Sequence, residues 1–330
     1  MLTLYLSQQG CYVSLHQETL VVKRGDTVLQ SVQLLLVEQI LVFGKSQSTT
    51  QVIRACLWRE IPIAYLSRQG YCYGRVLAIA RGYRQLARYQ QGLSRLERLL
   101  VAQRLVQVKL KNGRVLLLRQ QRRVAAPTIA LAIETLDHLA QEAMRADSAD
   151  RLMGLEGAGA ASYFAAFGEC LSSPDFAFMA RSRRPPGNAV NAMLSFGYQV
   201  LWNHLLSLIE LQGLDPYYGC LHEGSERHAA LASDLLEEFR APLIDSLVLW
   251  LVNSRVMDAE ADFEFRDGGC FLGESGRKKF LQAFVQRMEE KVQVRSGERQ
   301  PRWDLLNQQV KMYKQFVYNP GLGYEPYLIR

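Results

Sequence analysis

No two of the six cysteines, Cys11, Cys56, Cys72, Cys170, Cys220 and Cys270, stand at a C-x-x-C spacing. That excludes the zinc-ribbon and dithiol redox motifs that need such pairs. Single cysteines scattered over 330 residues suit a reducing cytoplasm. No apolar run approaches the ~20 residues that a membrane-spanning helix requires; the stretch 247–252 is far too short. The opening MLTLYLSQQGCYVSLH lacks a basic segment followed by a long apolar run, so no secretory leader is expected. Internal repeats and low-complexity tracts are also missing. Acid is almost absent from residues 85–124, which hold ten Lys/Arg and one Asp/Glu, a net +9. Residues 1–84 hold nine and four (+5), and residues 125–330 hold twenty and twenty-seven (−7). Positive charge gathered in this way is what a phosphate backbone attracts. A solvated helix face gives the same pattern, and charge alone leaves both readings open.

The composition, 48% hydrophobic and 22% charged, is that of a globular chain rather than a disordered one. Its length allows two domains, each with a core. Residues 1–84 read as β-rich: LTLYL, YVSL, TLVVKR and ILVFG are short, β-branched or aromatic, and broken by Gly, Gln and Asp. QSVQLLLVEQ fits strand or turn. One helix is expected over 50–60, capped by Thr49 or Thr50 and stopped before Pro62. PIAYLS and YCYGRVL follow as strands around a turn at Gly70. After Gly82 the apolar residues recur at three- and four-residue steps, the helical period. SRLERLLVAQRLVQVKL, APTIALAIETLDHLAQEAMRA, NAVNAMLSFGYQVLWNHLLSLIEL, SERHAALASDLLEEFR, APLIDSLVLWLVNSRV and GRKKFLQAFVQRMEEKVQ are predicted helices, with more helix over 305–318. The expected fold is therefore α+β and multidomain. A small N-terminal β-sheet domain (1–84) precedes a larger all-α domain (85–330), with the boundary near 80–95.

Three segments carry possible chemistry. In LHEGSERHAALASDLLEEFR, His222 follows the turn signals of DPYYG, and Asp234 and Glu237 lie three residues apart on one helix face. Two acids on a mostly apolar helix are costly to bury unless a cation meets them. By residue type alone, a solvated stripe of Asp234, Glu237 and Glu238 is the commoner arrangement. In MGLEGAGAASYFAAF, Glu156 is the only acid among Gly, Ala and aromatic residues. Glycine costs a helix about 1 kcal/mol relative to alanine, so something should approach this backbone closely. A dinucleotide phosphate loop is a poor match, because no strand precedes the segment and the glycine spacing differs. A tightly packed helix with one buried carboxylate fits better. In ARSRRPPGNAVNAMLSFGY, Arg181, Arg183 and Arg184 precede a double proline, on a stiff extended loop. Guanidinium groups held rigidly suit phosphate; an ordinary basic turn is the alternative.

Taken in order, GLEGAGAASYF, RSRRPPGNAVNAMLSFGY, GLDPYYGCLH and DLLEEFRAP resemble the motifs of the CRISPR adaptation integrase family, the Cas-one protein. The resemblance spans essentially the whole helical part, and the β-rich start agrees with that family's layout. It implies that Glu156, His222 and Glu237 are the catalytic metal ligands, with Asp234 as an accessory acid, and that Mg²⁺ or Mn²⁺ is the cofactor. Carboxylate oxygens suit a hard cation, and an imidazole favours Mn²⁺ somewhat. It also implies a homodimer formed through the β domains and a small partner, the Cas-two protein. The substrate would be double-stranded DNA, joined to a repeat by 3′-hydroxyl transesterification in defence against foreign nucleic acid. Phosphate contacts are expected from Arg181, Arg183 and Arg184. Two rival readings are a catalytically silent DNA-binding scaffold and a phosphohydrolase of small molecules. The three acid and histidine positions oppose the first, and the basic segments oppose the second.

Overall fold

The computed structural model describes residues 2–79, 84–225, 228–293 and 297–329. The boundary expected near 80–95 therefore falls partly on residues 80–83, which lie outside the described residues. In chain order the first part holds β1 (Leu2–Leu6), β2 (Tyr12–His16), β3 (Thr19–Arg24), β4 (Thr27–Gln33), β5 (Val37–Phe43), β6 (Gln47–Ser48), α1 (Thr50–Trp58), β7 (Ile63–Leu66) and β8 (Cys72–Val76). The Thr49 side chain caps α1 by accepting from the Val52 amide. The ambiguous QSVQLLLVEQ is divided: it ends β4, makes a 3₁₀ turn over Leu34–Leu36 and begins β5.

Two four-stranded sheets result, ordered β1-β5-β7-β8 and β4-β3-β2-β6. The first is parallel except for β8. Successive strand residues face opposite ways. Ile40, Val42 and Ile63 enter the core between the sheets and α1, whereas Leu41, Phe43, Ala64 and Leu66 enter the core of the helical part. A sheet covered on both faces explains the unbroken apolar run of β5. Polar pairs also cross this junction. Tyr5 Oη lies 2.8 Å from His204 Nε2, Gln39 donates to Ser207 Oγ at 2.6 Å, and Arg75 pairs with Glu210 at 2.5 Å. The β part and the helical part thus share a packed, hydrogen-bonded face.

The second part holds α2 (Arg84–Gln91), α3 (Arg95–Gln121), α4 (Pro127–Ala143), α5 (Ala149–Glu169), α6 (Ala189–Leu211), α7 (Ala230–Leu236), α8 (Ser246–Asn253), β9 (Phe263–Arg266), β10 (Gly269–Leu272), α9 (Glu274–Glu289), β11 (Lys291–Gln293), β12 (Arg299–Pro301) and α10 (Arg302–Tyr318). Ser94 and Glu97 make a reciprocal capping box that starts α3. Two short antiparallel strand pairs, β9–β10 and β11–β12, sit inside this largely helical part, and helical periodicity gave no sign of them. The first turns at Asp267-Gly268, where φ is 50° and 72°, the geometry that Asp-Gly favours.

SERHAALASDLLEEFR differs from the single helix expected. Residues 226 and 227 lie outside the described residues; of the rest, the helix runs from Ala230 to Leu236, and Arg240–Asp245 forms a π-helical turn before α8. Pro242 accounts for the break, since it has no N–H to give to the carbonyl four residues back. That carbonyl, of Glu238, accepts instead from Asn112 Nδ2 at 2.8 Å.

Candidate metal centre

Three elements meet at one point. Glu156 lies midway along α5, Glu237 caps the end of α7, and Lys109 lies midway along α3. The Lys109 ammonium bridges the two carboxylates, touching Glu156 Oε1 and lying 2.6 Å from Glu237 Oε2. The other Glu237 oxygen accepts from Arg240 Nε at 3.0 Å. Glu156 Oε2 is buried and has no hydrogen-bond partner. Helix packing explains part of the glycine-rich pattern around Glu156. A Cβ on Gly159 would lie 2.2 Å from Leu110 Cδ2, so α3 needs that glycine to approach; Gly154 and Gly157 face open space.

The solvated acidic stripe is not found. Asp234, Glu237 and Glu238 are 0%, 1% and 0% exposed, and each has a separate set of partners. Asp234 clamps the loop before α7. Its Oδ2 accepts from the Cys220 and Leu221 amides at 2.5 and 3.0 Å, and its Oδ1 accepts from the His222 amide and Nδ1 at 2.9 and 2.8 Å. A carboxylate only accepts, so Nδ1 carries the proton and the lone pair is on Nε2. The loop closes tightly over this clamp: a Cβ on Gly224 would meet the Tyr217 carbonyl at 2.1 Å. Glu238 faces the opposite way. It accepts from Tyr324 Oη, the Tyr327 amide at 2.6 Å and Gln309 Nε2 at 2.7 Å, which fastens residues 324–327 behind the site.

Charge in this pocket is strongly coupled. Burial pushes Glu237 up, but Arg240, Lys109 and His222 outweigh it and hold the carboxyl well below the usual carboxylate range. Burial opposes the His222 imidazolium, yet Asp234, Glu237 and Glu156 outweigh it and raise the ring's pKa. Arg240 stacks on Tyr198 at 4.5 Å. Tyr198 in turn donates to Asp245, which also accepts from Tyr163 Oη at 2.8 Å.

The expected ligands are thus neighbours. Among the described residues, however, no three His, Cys, Asp or Glu side chains are drawn together tightly enough to cage an ion as they stand. The position between the two glutamates is taken by an ammonium group. Lys109 and Arg240 were missed by sequence reasoning. The available signal for Lys109 was a cation inside the apolar stretch of a helix surrounded by α4, α5 and the π turn.

The three arginines divide into two kinds. Arg181 is built into the fold, donating to Asn191 Oδ1 at 2.9 Å and Ser195 Oγ at 3.0 Å, and burial lowers its pKa to about 10. Arg183 and Arg184 are exposed. They line a groove of about 780 Å³ with Arg68, Trp202, His222 and His228. In the basic stretch 85–124, Arg95, Arg104, Arg122 and Arg123 are exposed, while Arg114 pairs with Asp137.

The family model of CRISPR associated protein Cas1 matches residues 4–286. The chain belongs to the Cas1 family. It is 34% identical over 331 residues to a CRISPR-associated endonuclease Cas1 of Thermus thermophilus, spanning 99% of this chain and 97% of the relative. It is 34% identical over 305 residues to a CRISPR-associated exonuclease Cas4/endonuclease Cas1 fusion of Geobacter sulfurreducens, covering 88% of this chain and about half, 54%, of the fusion. Among solved structures, a Cas1 protein from Thermotoga maritima superposes with a TM-score of 0.80 at 25% identity over 97% of both chains. The same fold occurs in a casposase bound to integration product (TM-score 0.84, 22% identity, 98% and 93% covered). It also occurs in a Cas6-RT-Cas1–Cas2 complex (0.81, 23%, 97% and 35%). The strand-rich start followed by helices is thus the Cas1 architecture, and this Cas1 chain's described residues include no helix long and apolar enough to cross a membrane.

Proposed function

We propose that this Cas1 protein is a divalent-metal-dependent DNA endonuclease and integrase that inserts short foreign DNA into a repeat array. The observation that carries the proposal is the buried meeting of Glu156 and Glu237 beside a His222 ring fixed by Asp234. The donor set fits Mg²⁺ or Mn²⁺: two carboxylates, one with a partnerless buried oxygen, and an imidazole nitrogen with a free lone pair. Glu156, Glu237 and His222 Nε2 would hold the ion. When bound, it supplies positive charge at the phosphoryl oxygen and lowers the pKa of the attacking hydroxyl.

In the reaction, the 3′-oxygen of the incoming DNA forms a bond to a repeat phosphorus. The repeat's own bridging P–O bond breaks, and the proton passes to the departing 3′-oxygen. One phosphodiester replaces another, so no external energy source is needed. The chain's contribution is placement, which can supply several kcal/mol of rate enhancement, roughly 7–11 in favourable cases. Arg183 and Arg184 would hold backbone phosphates in the groove that leads to His222, with Arg181 bracing their loop. Residues 85–330 would form the catalytic domain and residues 1–84 the dimerisation domain. The edge strand β4 and the turn after it support the second role, because Val28, Leu35 and Leu36 are 53%, 70% and 57% exposed. A small Cas2 partner would complete the assembly, as in the Cas6-RT-Cas1–Cas2 complex.

The test is cleavage of plasmid DNA in Mn²⁺ by Glu156→Gln, His222→Asn and Glu237→Gln. Each variant should lose activity but keep DNA binding, and EDTA should abolish the wild-type reaction. Any one of the three cleaving like wild type removes that residue from the site.

A further inference from the structure

We propose that Lys109 is an exchangeable counter-cation that holds Glu156 and Glu237 in the metal-free protein and must leave them before a divalent ion can bind. This rests on the metal reading above and adds to it a residue that competes with the metal. The Lys109 side chain is 16% exposed, against 11% for Glu156 and 1% for Glu237, so all three share a largely dry pocket. Two carboxylates so close together need a compensating cation. Lys109 touches both and Arg240 one, which makes the metal-free cluster electrically neutral.

A divalent ion added to that neutral group leaves an excess of two positive charges. One resident cation therefore has to move. Arg240 is pinned: it is stacked on Tyr198 and bonded to Glu237. Among the described residues Lys109 pairs only with the two carboxylates, and its four-carbon stem is flexible. It is the group that can swing away.

The experiment is Mn²⁺ titration of the full chain by calorimetry, using wild type, Lys109→Met, Lys109→Gln and Glu156→Gln, each checked for folding by circular dichroism. Removing an ammonium that must be displaced should tighten Mn²⁺ binding by about tenfold or more, the scale of a neighbouring charge's effect. Thermal melts provide a second readout. Lys109→Met should melt below wild type without metal and recover most of the difference in saturating Mn²⁺. Lys109→Gln should behave in the same way if Lys109→Met does not fold. If Glu156→Gln abolishes binding while both Lys109 variants bind Mn²⁺ no tighter than wild type, the competition is refuted and the metal site stands. If no variant and no wild-type protein binds Mn²⁺, the metal reading itself fails and this inference with it.

Discussion

Replacing Asp234 by Asn exchanges one oxygen for an NH₂ and should affect both stability and metal binding. The carboxylate satisfies four donors, two on each oxygen: the Cys220 and Leu221 amides on Oδ2, and the His222 amide and Nδ1 on Oδ1. An asparagine offers one acceptor oxygen and one NH₂. Turned towards the Cys220 and Leu221 amides, the NH₂ leaves two donors facing a donor in a site that is 0% exposed; turned towards His222 it leaves one, the backbone amide. A buried donor without an acceptor costs about 1–3 kcal/mol, so the change costs roughly 1–6 kcal/mol before the loop relaxes. The orientation decides the rest. If the NH₂ faces Nδ1, the imidazole accepts there, its proton moves to Nε2, and no lone pair remains for an ion. Loss of such an outer partner typically weakens metal affinity about 10–100-fold. Urea unfolding measures the first effect and Mn²⁺ calorimetry the second. An Asp234→Asn protein within about 0.5 kcal/mol of wild type that binds Mn²⁺ equally well would refute the clamp.

Other consequences follow from single contacts. Gly159→Val puts a branched side chain where even a Cβ would overlap Leu110; it should destabilise the fold by about 1–3 kcal/mol or more and reduce cleavage by shifting Glu156, as thermal melts and a plasmid assay would report. His204 is kept neutral, its pKa pushed down by burial to about 3 from 6.5. Above pH 6.5 folded and unfolded states hold the same protons there, but as pH falls the unfolded chain takes up a proton that the fold refuses. Stability should drop by on the order of 5 kcal/mol towards pH 3, and His204→Gln should flatten that slope in urea titrations. The His222 pKa is raised, and a metal needs the neutral ring, so Mn²⁺ affinity should climb with pH through a window above the ordinary histidine value; His222→Asn should remove that rise. Arg184→Ala should weaken binding to all DNA sequences alike and lower the salt slope by about one unit, whereas Arg181→Ala should mainly destabilise the fold.

Elements with strong local rules were readable in advance. Thr49 as a cap, Gly70 as a turn and the long helices after Gly82 all depend on neighbours within a few residues. The motifs around Glu156, His222 and Glu237 were readable because they resemble a known family. Their burial was not, since acid spacing alone is the same for a wet stripe and a dry pocket. Lys109 stands 47 residues from Glu156 in sequence and within a stretch whose charge suggested a DNA-facing surface. Only the packing of α3 between α4 and α5 turns it inward. Arg181 belongs to the same class: beside Arg183 and Arg184 it reads as one of three alike, and Asn191 and Ser195 set it apart. The π-helical turn at Pro242 needed the distant Asn112 to donate to the freed carbonyl, a long-range contact that no local pattern contains.

The central claim is that this chain joins DNA through a 3′-hydroxyl attack at a metal site. Its most direct test is strand transfer in Mn²⁺ with short duplexes and a repeat-bearing plasmid, comparing duplex ends that carry a 3′-hydroxyl with ends that are 3′-dideoxy. The account predicts a covalently joined product from the hydroxyl-ended duplex alone, lost in Glu237→Gln. Equal joining of the dideoxy duplex would contradict it, because the attacking group could not then be the 3′-oxygen.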